Sequence, residues 1–266
     1  MDKESWLKQA RDKPLFPDML WSRPENKRSR GKLLVIGGNK FSFSAPAAAY
    51  SAATIAGIDS CRALLPESLR KIVGKLLEAD FAPSNPSGSF AKNSLDSFME
   101  NSEWADGVLL AGNFGRNSET AIVLDAFVNK YSGLLIIAED ALDYFINPGS
   151  SILRRKNTTL VINMGKLQKL AKNNYPEMVV RHQDSLAELV RKLSDWSQTS
   201  SAAFVTRHEN HLIVAVDGQV STTPWDEDVK WQTELPAYAS VWWLQQPGKV
   251  FEALTCSAYD YVSSSA

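Results

Sequence analysis

The sequence predicts an α/β protein in three layers: a mostly parallel central sheet, helices on both faces, and an antiparallel hairpin at one edge. Three observations carry this. Short apolar runs recur without alternating apolar and polar positions, the habit of strands buried on both faces. Helix-like stretches separate most of these runs, the alternation expected of a parallel sheet. The last two runs are joined by only a short polar connection, and Asp217-Gly218 then gives a strong tight-turn signal.

In chain order, residues 1–25 read as an N-terminal extension. Ser5 to Asp12 suits one short helix, after which Pro14, Pro17 and Pro24 interrupt regular structure. Residues 22–32, SRPENKRSRGK, carry five basic side chains against one acid. They read either as a solvated lead-in to a strand or as an anion-contacting loop. Strands are expected at Leu33–Ile36, Val108–Leu110, Leu134–Ala138, Leu160–Ile162, Ala203–Val205 and Leu212–Val216. Pro46–Ile58 is alanine-rich and starts on a proline, which suits a first helical turn. Pro66–Glu78 sets Leu69, Ile72, Val73, Leu76 and Leu77 at helical spacings. Asn117–Tyr131 has Asn117 or Ser118 as a cap and stops before Gly133. Ser185–Trp196 repeats Leu186, Leu189, Val190 and Leu193 on one face. Residues 202–222 form the edge hairpin, Phe251–Val262 a final helix, and SSSA a frayed tail.

Composition limits the function. The chain has 266 residues, 44% hydrophobic and 22% charged, which is ordinary for a globular protein and unlike a disordered one. No linker, repeat or low-complexity tract divides residues 26–266, so one domain is expected there. With 29 basic and 30 acidic side chains the net charge is −1, which disfavours a nucleic-acid partner. No run of about 18 apolar residues is present, so no membrane span is expected. The charged start MDKESWLKQARDK lacks the apolar core of a secretory signal, and a cytoplasmic location is the expectation. Cys61 and Cys256 lie far apart and outside any C-x-x-C pair, which argues against a disulfide framework or a cysteine zinc site. His182, His208 and His211 form no H-E-x-x-H.

Open parallel sheets bind ligands beyond the carboxyl ends of their strands. After the first strand comes Gly37-Gly38-Asn39, then Ser44-Ala45-Pro46 opening a helix. Glycines admit close backbone approach and helix N-termini favour anions, so this is either a ligand loop or a simple turn. It is neither G-x-G-x-x-G nor a P-loop. After Val108–Leu110 comes Gly112-Asn113-Phe114-Gly115-Arg116, a second candidate cradle, in which Arg116 either forks onto an oxyanion or is merely solvated. Glu139-Asp140 follows the third strand, and such carboxylates can hold magnesium through water or serve the helix dipole. Asn163-Met164-Gly165-Lys166 follows the fourth.

In this order the motifs resemble those of the ribokinase-like NAD(P)H-hydrate dehydratases, carbohydrate-kinase-related enzymes that repair nicotinamide cofactors. The resemblance runs from about Lys27 to Val262. It rests on NKRSRGKLLVIGGN, Ser44-Ala45-Pro46, GVLLAGNFGR, AEDAL from Ala138 to Leu142, VINMGKL from Val161 to Leu167, FVTRHENHLIVAVDG, and Phe251-Glu252-Ala253. It implies a three-layer ribokinase-like fold. It also implies a reaction in which ADP or ATP with Mg2+ phosphorylates the hydroxyl of hydrated NADH or NADPH, after which phosphate is eliminated. On that resemblance Gly37, Gly38, Asn39, Ala45, Gly115 and Asn163 face the hydrated NADH or NADPH. Gly112, Asn113, Arg116, Arg207 and Thr233 face the nucleotide, Asp140 is a candidate for the metal, and Glu234 is the base. Relatives of this kind associate, so a homo-oligomer is a candidate state.

The chain departs from the family pattern in places. The G-S-G-D anion hole falls on Trp231-Gln232-Thr233-Glu234, which keeps a carboxylate but loses both glycines. The family's lysine becomes Arg207, its histidine Asn163, the glutamate after it Lys166, and the first aspartate of its D-A-D-A-L Ala138. Two other readings therefore stand beside the dehydratase: a non-catalytic or repurposed nucleotide- or partner-binding relative, and a small-alcohol kinase. Trp225, Trp231, Trp242 and Trp243 cluster nearby, as core or as an interface.

Overall fold

In the computed structural model, residues 6–74, 77–175, 177–226 and 231–265 are described. Ten strands form one sheet: β1 Trp6–Lys8, β2 Lys32–Gly37, β3 Ser60–Pro66, β4 Ala79–Ala82, β5 Gly107–Gly112, β6 Leu134–Ile137, β7 Thr158–Val161, β8 Ala202–His208, β9 His211–Val216 and β10 Gln219–Pro224. Nine α-helices are described: α1 Pro17–Trp21, α2 Ser44–Ile55, α3 Arg70–Val73, α4 Leu95–Trp104, α5 Ser118–Lys130, α6 Met164–Asn174, α7 Leu186–Thr199, α8 Trp231–Gln245 and α9 Val250–Ser265. The strand order is β1-β10-β9-β8-β7-β6-β5-β2-β3-β4. From β4 through β8 every pairing is parallel, whereas β8–β9 and β9–β10 are antiparallel.

The apolar runs became strands because both of their faces are covered. Leu33, Leu34, Val35 and Ile36 alternate between two hydrophobic clusters, one on each side of the sheet. One cluster is filled by α4, α5, α6 and α7, the other by α2, α8 and α9. Trp225, Trp231, Trp242 and Trp243 all lie in the second cluster and are buried, so they are core. No described helix is long and apolar enough to cross a membrane.

Several local expectations are corrected. The helix expected over Ser5–Asp12 is not seen: Trp6–Lys8 is a strand, paired in parallel with β10, and Ser5 lies outside the described residues. The antiparallel segment has three strands, and β1 rather than β10 forms that edge. Pro66–Glu78 is not one helix. Gly74 at φ +55° ends α3 after a single turn, and Lys75 and Leu76 lie outside the described residues. The last helix runs on through Ser265, so Ser263 to Ser265 are not a frayed tail, and Ala266 lies outside the described residues.

Candidate functional site

The ends of β2 and β5 meet too closely for side chains. A Cβ on Gly37 would lie 2.4 Å from the Gly112 carbonyl oxygen, and one on Gly112 2.5 Å from Glu139 Cβ. Gly38, at φ +92°, donates its N–H to Gly112 O at 2.9 Å. The Asn39 side chain then ties the two loops, donating from Nδ2 to Asn113 O at 2.5 Å and accepting Phe41 N at 2.8 Å. Asn113 sits at φ +59°, a left-handed conformation that asparagine tolerates. Its Oδ1 accepts Ala45 N at 2.7 Å, Ser44 Oγ at 3.2 Å and Ser42 Oγ at 3.3 Å. The N–H of Ala45, at the start of α2, is therefore engaged by a carboxamide oxygen from the neighbouring loop.

The other wall is built on Asp140. Its two carboxylate oxygens accept Phe114 N at 3.2 Å and Gly115 N at 3.0 Å, while Tyr144 Oη donates to Gly115 O at 2.5 Å. Asp140 thus braces the β5 loop, and no group of three or more His, Cys, Asp or Glu able to hold a metal exists among the described residues. Glu139 is half-buried, and burial pushes its carboxyl above the usual range, with Lys166 pulling the other way. Lys166 Nζ donates to Glu139 O at 2.8 Å and pairs with Asp143 at 2.9 Å.

Lys166 also leads to the remaining residues. Its N–H reaches Asn163 Oδ1 at 3.0 Å, which caps α6, and Asn163 Nδ2 donates to Gln232 Oε1 at 2.7 Å. That bond docks the first turn of α8 at the carboxyl edge of β7. There Trp231 is buried, and Gln232, Thr233 and Glu234 are half-buried. Pro236 lacks an N–H, so the Gln232 carbonyl has no partner four residues on. Arg207, near the carboxyl end of β8, sets its guanidinium 5.2 Å from the Trp225 ring centroid. Arg116 is exposed in a cleft of about 740 Å³ lined also by Asn117, Asp140, Tyr144, Lys169 and Asn173.

The structure thus links Gly37, Gly38, Asn39, Ala45, Gly112, Asn113, Gly115 and Asp140 through direct contacts. Asn163 joins the α8 turn that carries Thr233 and Glu234, and Arg116 shares its cleft with Gly115 and Asp140. Sequence reasoning missed Tyr144, Asn85 and Ser87. Asn117 caps α5 by accepting Glu119 N at 2.9 Å and Thr120 N at 3.3 Å, and it is held by Asn85 Nδ2 at 2.9 Å and by Ser87 Oγ at 3.0 Å. The signal was present in the turn-rich SNPSGS at 84–89, whose residue types bond to backbone and caps.

An open, mostly parallel sheet with its cradle at the carboxyl edge and a three-stranded antiparallel flank is a ribokinase-like fold. It superposes on a ribokinase-like superfamily protein of Enterococcus faecalis with a TM-score of 0.68 at 14% identity, covering 97% of this chain and 88% of that one. It also superposes on the ADP/ATP-dependent NAD(P)H-hydrate dehydratase of Bacillus subtilis, co-crystallised with ATP/Mg2+, with a TM-score of 0.63 at 14% identity, covering 94% and 87%. In sequence the chain is a relative of the bifunctional NAD(P)H-hydrate repair enzyme Nnr of Methanocaldococcus jannaschii, 30% identical over 118 residues. That stretch is 44% of this chain and spans 23% of the archaeal enzyme's length. No family model matches the chain.

Proposed function

We propose that the chain binds ADP or ATP together with hydrated NADH or NADPH at the carboxyl edge of its sheet and restores the reduced cofactor. The observation that supports this is the β2–β5 cradle, a preformed junction at the carboxyl edge where no Cβ fits at the buried Gly37 or Gly112 and where Asn113 and Gly115 are half-buried at the rim. A bound nucleotide would supply the phosphoryl group and Mg2+ would offset the charge of its phosphates, with Asp140 the residue assigned to that ion. Gly112, Asn113 and Gly115 shape the loop that faces the nucleotide and substrate, with Asn39 and Ala45 on the substrate side. Arg116 and Arg207 supply positive charge, and Asn163 and Thr233 supply hydrogen bonds. Glu234, in the first turn of α8, accepts the hydroxyl proton.

A second reading, a binder without turnover, is favoured by one observation. On the resemblance Trp231 and Thr233 take the places of the two glycines that would admit phosphate, and Gln232 between them is committed to Asn163. The test is recovery of absorbance at 340 nm from hydrated NADH with ADP or ATP and Mg2+. Recovery is expected in the native chain and is lost by more than about 100-fold in Glu234→Gln, with nucleotide binding retained. No recovery with either nucleotide at high protein concentration would sink the enzyme reading. A thermal shift with nucleotide would then favour the binder.

A further inference from the structure

Phe41 is 84% exposed, an aromatic side chain held in water at the rim of the cradle. The turn that presents it is tied at each residue. Asn39 N donates to Ser42 O at 2.9 Å and Ser42 N to Asn39 O at 3.0 Å. Lys40 N reaches Gly88 O at 2.9 Å, and Phe41 N reaches Asn39 Oδ1 at 2.8 Å. Asn39 itself is fastened to the β5 loop, so the backbone that carries the ring is held at the rim. The Lys40 ammonium lies 4.8 Å from the ring centroid. Ser42, Ser44 and the Asn113 carboxamide follow directly along the same rim. A rigid open ring with a cation beside it and hydroxyls along the rim complements a ligand that joins a planar heterocycle to a sugar and an anion.

We propose that Phe41 is a stacking platform for a heterocycle of the dinucleotide substrate, with Lys40 answering the neighbouring phosphate. This rests on the function proposed above and adds a residue that sets the choice of substrate. Phe41 lies on the substrate side, between Asn39 and Ala45, so ADP should not feel it.

Calorimetric titration of the native chain, Phe41→Ala and Phe41→Trp with NADH and with ADP tests the proposal. Both variants should unfold at the native midpoint without ligand, because the ring is exposed. Phe41→Ala should weaken NADH at least about fivefold, the lower end of what one base–aromatic stack contributes, and Phe41→Trp should hold it within about twofold. ADP affinity should be the same in all three. Equal NADH affinity in the native chain and Phe41→Ala would overturn the platform while leaving the cradle reading standing. Parallel losses for NADH and ADP would overturn the assignment to the dinucleotide. A native chain that binds neither ligand would overturn both proposals. A dimer that Phe41→Ala converts to monomer would show that a second copy covers the ring, which also overturns it.

Discussion

At Glu139 the backbone adopts φ +49°, and the half-buried carboxyl is held above its usual range by burial, less the pull of Lys166. The folded chain therefore keeps a proton that the unfolded chain releases near pH 4.3, the ordinary glutamate value of about 4.3. Stability conferred by that proton is present at low pH and is lost as pH rises through the raised value. Glu139→Gln has no such proton to lose. It should match the native chain near pH 4 and be more stable at pH 7 by urea unfolding; an equal difference at both pH values would contradict this. The glycines at the ends of β2 and β5 were legible in the sequence as a ligand loop or a simple turn, and the structure makes them the point where the two strand ends approach too closely for a Cβ. The brace from Asp140 to Phe114 and Gly115 was not legible. Nothing local distinguishes a carboxylate that accepts backbone N–H groups 25 residues away from one poised to hold a metal.

Among the elements, α2 has the least usual support. Its own N-cap residue, Phe43, provides no side-chain cap, and Asn113 supplies the acceptor from the next loop instead. Asn113→Ala removes that acceptor and leaves an alanine at φ +59°. A lost cap contributes about 1 kcal/mol and the left-handed alanine about 1 kcal/mol more, so a loss of about 2 kcal/mol is expected in denaturant unfolding. Asn113→Asp keeps the acceptor beside a helix N-terminus and should stay within about 0.5 kcal/mol of the native chain. Long apolar runs and capped helices were readable in advance: α5 begins at Asn117 and α7 at a Ser185–Glu188 capping box. β3, β4 and β10 were not, because SCRALLP, ADFA and QVSTTP mix polar and apolar residues. They are strands because a neighbour offers a ladder, as β2 does for β3.

On the scale of the molecule, the near-balance of charge leaves no general positive field, so the nucleotide proposed above would depend on local groups. The segment expected as an extension is fastened to the sheet. Gln9 Nε2 donates to Thr223 Oγ1 at 2.9 Å, Trp6 Nε1 to Thr222 Oγ1 at 3.1 Å, and Arg23 pairs with Asp260 while lying over the Trp242 ring. Removing everything before residue 26 strips β1 from β10 and opens an edge to other chains. The truncated chain should lose about 3 kcal/mol or more and aggregate on heating, as soluble yield and thermal unfolding would show. An unchanged melting temperature would mean that the segment is an appendage after all. Three residues, WLK, are too few to announce a strand; only the distant edge of β10 makes them one.

That pairing also has a consequence in time. Trp6 meets Thr222 across 216 residues of chain, and contacts of such separation form late because loop closure must precede them. At a ribosomal pace of about 5–20 residues per second, the first strand waits roughly 10–40 s for its partner to be made. Throughout that interval it has no partner strand and is open to chaperones or to neighbouring chains on the same message.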